Sequence, residues 1–176
     1  MRMLMSLVAA VGCMAGLMGM ALPETKVELK KVHICCGACE KAIGKVLEDS
    51  GVKGTCDKKA GTISFTAGDE KAAQKTLDAL AAGGFHGDTG SKDLAIKDDS
   101  GAKEGKVTSA TVKGFHNCCP ACCKAIKAVL GKVEGVESED TKPKESSCTV
   151  KGNFDAAKLV KALNDAGFHV TVEAGK

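Results

Sequence analysis

The chain has no tryptophan and no tyrosine, five phenylalanines supply its aromatic rings, and Arg2 is its only arginine. Nucleic-acid surfaces combine arginine with stacking aromatics, so this composition argues against such a partner. The lysines that give the chain its slight positive charge of +3 suit an ordinary solvated surface. No Ser/His/Asp set or carboxylate pair recurs along the sequence, and there is no Gly-rich phosphate loop. Hydrolytic and nucleotide chemistry therefore have no support, and the chain is not expected to be an enzyme.

What the sequence does have is cysteine, in a repeated pattern. His33-Ile-Cys-Cys-Gly-Ala-Cys39 returns 83 positions later as His116-Asn-Cys-Cys-Pro-Ala-Cys122. Over His33–Leu47 and His116–Leu130, ten of fifteen positions are identical. Gly84-Phe85-His86 likewise returns as Gly167-Phe168-His169. That period exceeds the usual solenoid repeats, so two tandem small domains are expected, over residues 24–97 and 106–174. Residues 98–105, charged and glycine-containing, read as a linker between them.

Residues 1–21 read as an export segment outside the fold. Arg2 precedes an uncharged run rich in Met, Leu, Val and Ala, and Gly19-Met20-Ala21 has the small residues of a cleavage site. Lipidation at Cys13, or retention of the run as a membrane anchor, are the other outcomes. Each places the remainder outside the cytoplasm, secreted or periplasmic. A membrane contact follows only if the N-terminus is lipidated or uncleaved.

Within each repeat the hydrophobic period alternates between that of a strand and that of a helix. Val27 and Leu29 alternate with Lys26, Glu28 and Lys30, as in a half-buried strand. Ile43, Val46 and Leu47 follow at helical spacing, then strands near Val52 and at 62–66, and a second helix over 72–82 ended by Gly83-Gly84. The second repeat reads the same way, with Pro120 suited to the first turn of its helix. The fold class expected is α+β, two ferredoxin-like βαββαβ units after the export segment. The last strand of the first unit reads poorly, because His86-Gly-Asp-Thr-Gly90 breaks the alternation, with Leu94–Ile96 as its continuation.

A βαββαβ unit with a CxxC between its first strand and first helix resembles the heavy-metal-associated domain, twice in this chain. That family includes copper chaperones, the N-terminal repeats of metal-pumping ATPases and the periplasmic mercury-binding protein. The resemblance implies a protein that binds and transfers soft metal ions, with Cu(I) first and Hg(II) or Zn(II) as alternatives. It implies metal ligands at Cys36 and Cys39 and again at Cys119 and Cys122. Its implied partners, besides the ion, are another metal-transfer protein or a membrane transporter. This chain departs from the family's Gly-Met-Thr-Cys-x-x-Cys: Cys35 and Cys118 precede each pair, and His33 and His116 stand where the family has Gly. Those four residues are additional candidate ligands, and three sulfurs, or sulfurs with imidazole, suit Zn(II) or trigonal Cu(I).

The chemistry is that of a thiolate poised at a helix start. The second Cys of each pair should lie in the first helical turn, where the helix dipole favours the anion that binds soft ions. Phe85 and Phe168 read either as core or as shields of the site, and His86 and His169 as turned away from it. Cys56, Cys123 and Cys148, at unmatched places in the two units, read as spare thiols. The competing function is an extracytoplasmic thiol–disulfide oxidoreductase, for which Cys119-Pro-Ala-Cys122 has the right spacing.

Overall fold

A computed structural model describes residues 24–175. Residues 1–21, the expected export segment, and Cys13 among them lie outside those residues. None of the described helices is long and apolar enough to cross a membrane.

The first half runs β1 (Thr25–Leu29), α1 (Gly37–Asp49), β2 (Lys53–Asp57), β3 (Thr62–Ala67) and α2 (Glu70–Ala82). The second runs β4 (Lys106–Lys113), α3 (Pro120–Leu130), β5 (Val136–Glu139), β6 (Ser147–Asp155), α4 (Ala156–Asp165) and β7 (Thr171–Ala174). The sheets are antiparallel, ordered β1-β3-β2 and β5-β6-β4-β7. This is the expected α+β architecture of two ferredoxin-like units.

Apolar spacing decides which faces are buried. In α1, Cys39, Ile43 and Leu47 recur every four residues and are all buried, and Cys122, Ile126 and Leu130 do the same in α3. Positions four apart share one face of a helix, so each stripe lies on its sheet. The sheets answer with alternate residues: Val27 pairs with Phe65 and Leu29 with Ile63 in the first, Ala110 with Val150 and Val112 with Cys148 in the second. The second helices start at acidic caps. Asp69 accepts from the Ala72 amide at 2.6 Å, and Asp155 from the Lys158 amide at 3.0 Å, each satisfying one orphan donor of the first turn.

The halves differ where the sequence alternation failed. No fourth strand forms in the first half; a lone bridge, Lys30 with Asp88, stands in its place, and the chain crosses on to bury Ile96 against the first core. In the second half β7 forms, but it begins at Thr171, whereas the alternating Phe168, Val170 and Val172 predict a strand from Phe168. Phe168 is engaged elsewhere, in an antiparallel bridge to Phe85 of the first half. Residues 98–105 lie along the second half: the Val172 amide donates to the Ser100 carbonyl at 2.7 Å, and His169 Nε2 sits 2.8 Å from Asp99.

Candidate metal centre

Two loops carry the repeated cysteines, and both end at the N-cap of a helix. Cys36 and Cys119 are the caps of α1 and α3, in matching extended conformations with φ of −154°. Cys35 and Cys118 stand one residue before the caps, and Cys39 and Cys122 are buried in the first helical turns.

The two loops face each other, so the six thiols form one cluster. Across the halves, Cys35 Sγ lies 3.5 Å from Cys119 and 3.3 Å from Cys122. Cys118 Sγ lies 3.6 Å from Cys36 and 3.5 Å from Cys39, and Cys39 is 3.9 Å from Cys122. Within each half the separations are 3.7 Å for Cys35–Cys39 and Cys118–Cys122, 3.9 Å for Cys36–Cys39 and 3.8 Å for Cys119–Cys122. All four principal candidates and both extra cysteines therefore meet at one place. Reading the sequence as a separate CxxC in each domain missed this meeting, which no local pattern encodes.

A glycine contact in each half brings the loops together. Gly84 has φ of +81° and Gly167 of +88°, so each sits in the left-handed region that glycine adopts without strain. A side chain there would also collide: a Cβ on Gly84 would lie 2.2 Å from the His116 amide nitrogen, and one on Gly167 2.2 Å from that of His33. Backbone bonds then cross the seam. The His86 amide donates to the Gly167 carbonyl at 3.1 Å, and the His169 amide to the Gly84 carbonyl at 3.1 Å. The sequence signal for this seam was the repeated Gly-Phe-His, retained in both halves although far from the cysteines in the chain.

The histidines flanking the cysteines are placed by the same seam. His33 stacks on Phe168 and His116 on Phe85, each with ring centroids 4.4 Å apart, so each imidazole lies on the other half's phenylalanine. Phe85 and Phe168 are buried core residues that also back these rings. The Nε2 atoms of both histidines are buried and without hydrogen-bond partners. A ring nitrogen of His33 lies within 4.8 Å of the Cys35 and Cys122 sulfurs. Burial lowers the pKa of both rings, with the neighbouring His116 adding to the effect at His33, so they are held neutral. A neutral imidazole can donate to a thiolate or ligate a metal.

Among the described residues, His86 and His169 belong to none of the groups of sulfurs and imidazole that could hold an ion. Their Nδ1 atoms approach to 3.3 Å. Asn117, buried in the second loop, donates to the carbonyls of Lys142 and Glu145 at 2.8 and 2.9 Å and anchors that loop. Its counterpart Ile34 is packed in the first core.

The thiolate is favoured at the two capping cysteines, three residues before the positions the dipole argument singled out. The nearby amide of Cys39 lowers the Cys36 pKa to about 6, and the Cys122 amide lowers Cys119 in the same way. At Cys122 burial raises the pKa against the opposing hydrogen bonds of Cys35 and Cys118. Burial also raises Cys35 and Cys118, helped by hydrogen bonds from neighbouring thiols. The cluster thus combines two thiols that ionise readily with Cys35, Cys118 and Cys122, which lose their protons only to a strong competitor, such as a metal ion. Cys56, Cys123 and Cys148 stay outside it. Cys123 is buried against the Thr141 carbonyl at 3.6 Å, and burial pushes Cys148 up to about 11.

Residues 118–169 match the heavy-metal-associated domain family. The copper transport protein CCH of Arabidopsis thaliana is 43% identical over 49 residues, which are 28% of this chain and 40% of that protein. The chain thus spans well under half the length of that relative. An uncharacterized protein of Haemophilus influenzae is 32% identical over 68 residues, 38% of this chain and 97% of the relative. The solution structure of the N-terminal soluble domains of Bacillus subtilis CopA aligns over 88% of this chain and 97% of that one, at 18% identity and a TM-score of 0.32. This chain belongs to the heavy-metal-associated domain family.

Proposed function

We propose that the chain is an exported carrier of soft metal ions that holds its cargo between its two halves. The observation that carries this reading is the set of six thiols, brought from two loops 83 residues apart to separations of 3.3–3.9 Å. Cys36, Cys39, Cys119 and Cys122 are ligands in this proposal, and Cys35 and Cys118 join them. His33 and His116 support the site from its wall. Thiolate donors select soft ions, and similarity to a protein named for copper transport favours Cu(I) over Hg(II) and Zn(II).

Transfer proceeds by ligand exchange, not enzymatic turnover. The capping thiolates Cys36 and Cys119 are partly exposed, so an incoming thiolate of a metal-transfer protein or membrane transporter can displace them first. Export, proposed from the leader sequence, places this exchange in the periplasm or outside the cell.

Titration of the reduced protein against Cu(I), Zn(II) and Hg(II) with competing chelators tests the reading. Serine at Cys36 and Cys39 together should disable the whole site. Retention of half the bound metal by that variant would instead place independent sites in the two halves.

One observation favours a second reading, a thiol–disulfide oxidoreductase: Cys36, with its pKa near 6, has a partner thiol 3.9 Å away at Cys39. A reduction potential in the oxidoreductase range, with turnover on a disulfide substrate, would establish it. An exchange of that kind needs two sulfurs, whereas six converge here.

A further inference from the structure

The arrangement of the six sulfurs specifies more than their number. Three groups of sulfurs lie mutually within 4.8 Å: Cys35/Cys36/Cys119, Cys36/Cys39/Cys118 and Cys118/Cys119/Cys122. A fourth, Cys35/Cys39/Cys122, closes with sides of 3.7, 3.9 and 3.3 Å. Every sulfur belongs to two of these triangles, and any two triangles share a single corner. The sulfurs therefore stand at the corners of an octahedron, and the triangles are its alternate faces.

Bond geometry decides what such faces can hold. With metal–sulfur bonds of about 2.3 Å, two-coordinate linear binding needs sulfurs about 4.6 Å apart, and planar three-coordinate binding about 4.0 Å apart. The nine separations of 3.3–3.9 Å fall short of the linear value and close to the trigonal one.

From this, and resting on the metal-carrying function proposed above, we infer that the cage assembles a polynuclear cluster of about four Cu(I) ions, one on each alternate face, with every thiolate bridging two ions. The charges favour a monovalent ion. Six thiolates and four Cu(I) leave a net charge of −2, and filling the cage from the thiol state releases six protons to solvent, with no change of oxidation state. Divalent zinc at the same faces would overcharge the cluster and lack its usual fourth ligand. His33, stacked on Phe168, borders the cage, its unpartnered imidazole within reach of the Cys35 and Cys122 sulfurs.

The cluster has a signature that a single-ion site lacks. Centres of alternate faces stand two-thirds of an edge apart, so ions centred on faces with edges of 3.9 Å would be separated by about 2.6 Å. The full chain, reduced and kept free of oxygen, would be titrated with Cu(I) and followed by native mass spectrometry and copper X-ray absorption. The expected result is a monomer carrying about four ions, filled cooperatively with sparse intermediates, and a copper–copper scattering shell. Cys36→Ser, which removes a corner from two faces, should lower the number of ions bound, and Cys123→Ser should leave it unchanged. A single ion per chain, copper without a copper–copper shell, or four ions found only in a two-chain species would overturn the cluster while leaving metal carriage intact. Failure to bind Cu(I), Zn(II) or Hg(II) would overturn both.

Discussion

The two halves share a motif and a topology, yet they are not equivalent supports for the site. The second half completes a four-stranded sheet, and its apolar core draws, among the described residues, on its own half and the segment leading into it. The first half has three strands, and its core extends across the seam to the buried Cys122, with Cys118 and Cys119 packed against it. The cysteine cluster is thus part of the first half's interior as much as a functional site. The place of the first half's fourth strand is taken by the Lys30–Asp88 bridge and by the segment that buries Ile96.

The largest expected effect tests that asymmetry. Phe154→Ala empties a fully buried position of the second core and should cost about 3–5 kcal/mol. Because the first core leans on the second half, both halves should then unfold together. Phe65→Ala should cost a similar amount but leave the second half's transition in place, giving two steps. Urea unfolding followed residue by residue by NMR distinguishes these outcomes, and one coincident transition in both variants would make the halves equal.

The seam itself is the next point of attack. Valine at Gly84 or Gly167 combines a left-handed backbone with a collision against the opposite loop, an expected loss of about 2–4 kcal/mol. Metal affinity should fall with it as the two loops part. The twofold arrangement predicts matching losses from the two substitutions, read by denaturant midpoint and chelator competition. A seam variant that binds metal at full strength would show that the loops need not meet.

A smaller effect concerns the loops, which are anchored differently. Asn117→Ala strips donors from the Lys142 and Glu145 carbonyls and should cost about 1–3 kcal/mol. Ile34 makes no such bonds, so faster amide exchange is expected at Lys142, Lys144 and Glu145 of the second half alone. Equal exchange in variant and parent would remove that distinction.

Finally, the seam should respond to acid. Burial, then the neighbouring His169, lowers the His86 pKa from 6.5 to about 4, against the opposing pull of Asp98, Asp165 and Asp88. The folded state therefore binds fewer protons than the unfolded one. The stability this gives is complete above pH 6.5 and is lost as the pH falls toward about 4. His86→Gln should flatten that part of the profile relative to the parent, and superimposable denaturation midpoints at pH 7 and 4.5 in the two proteins would show that His86 does not contribute.

Much of the architecture was legible in the chain because its causes are local. The alternation of Val27 and Leu29, the fourfold spacing of Ile43 and Leu47, and Pro120 at a helix start each act within a few residues, and the matching elements form there. The missing fourth strand was foreshadowed by the broken alternation after His86. The late start of β7 was not, since Phe168 has a strand-like context and departs from it only because Phe85 lies opposite. At the site, Cys36 and Cys119 were readable as metal-motif cysteines at helix starts. The raised pKa of Cys122 was not, because it comes from burial in the docked structure.

The amino-acid sequence alone determined that there would be two thiol-bearing loops, each leading into a helix, in two α+β units. Periodicity and capping are short-range effects that each repeat carries within itself. Only the tertiary structure decided that the loops make one site instead of two, and that its sulfurs close into triangles. That outcome depends on the approach of Gly84 and Gly167 to backbone in the opposite half, a contact between residues far apart in the chain that neither repeat can specify alone.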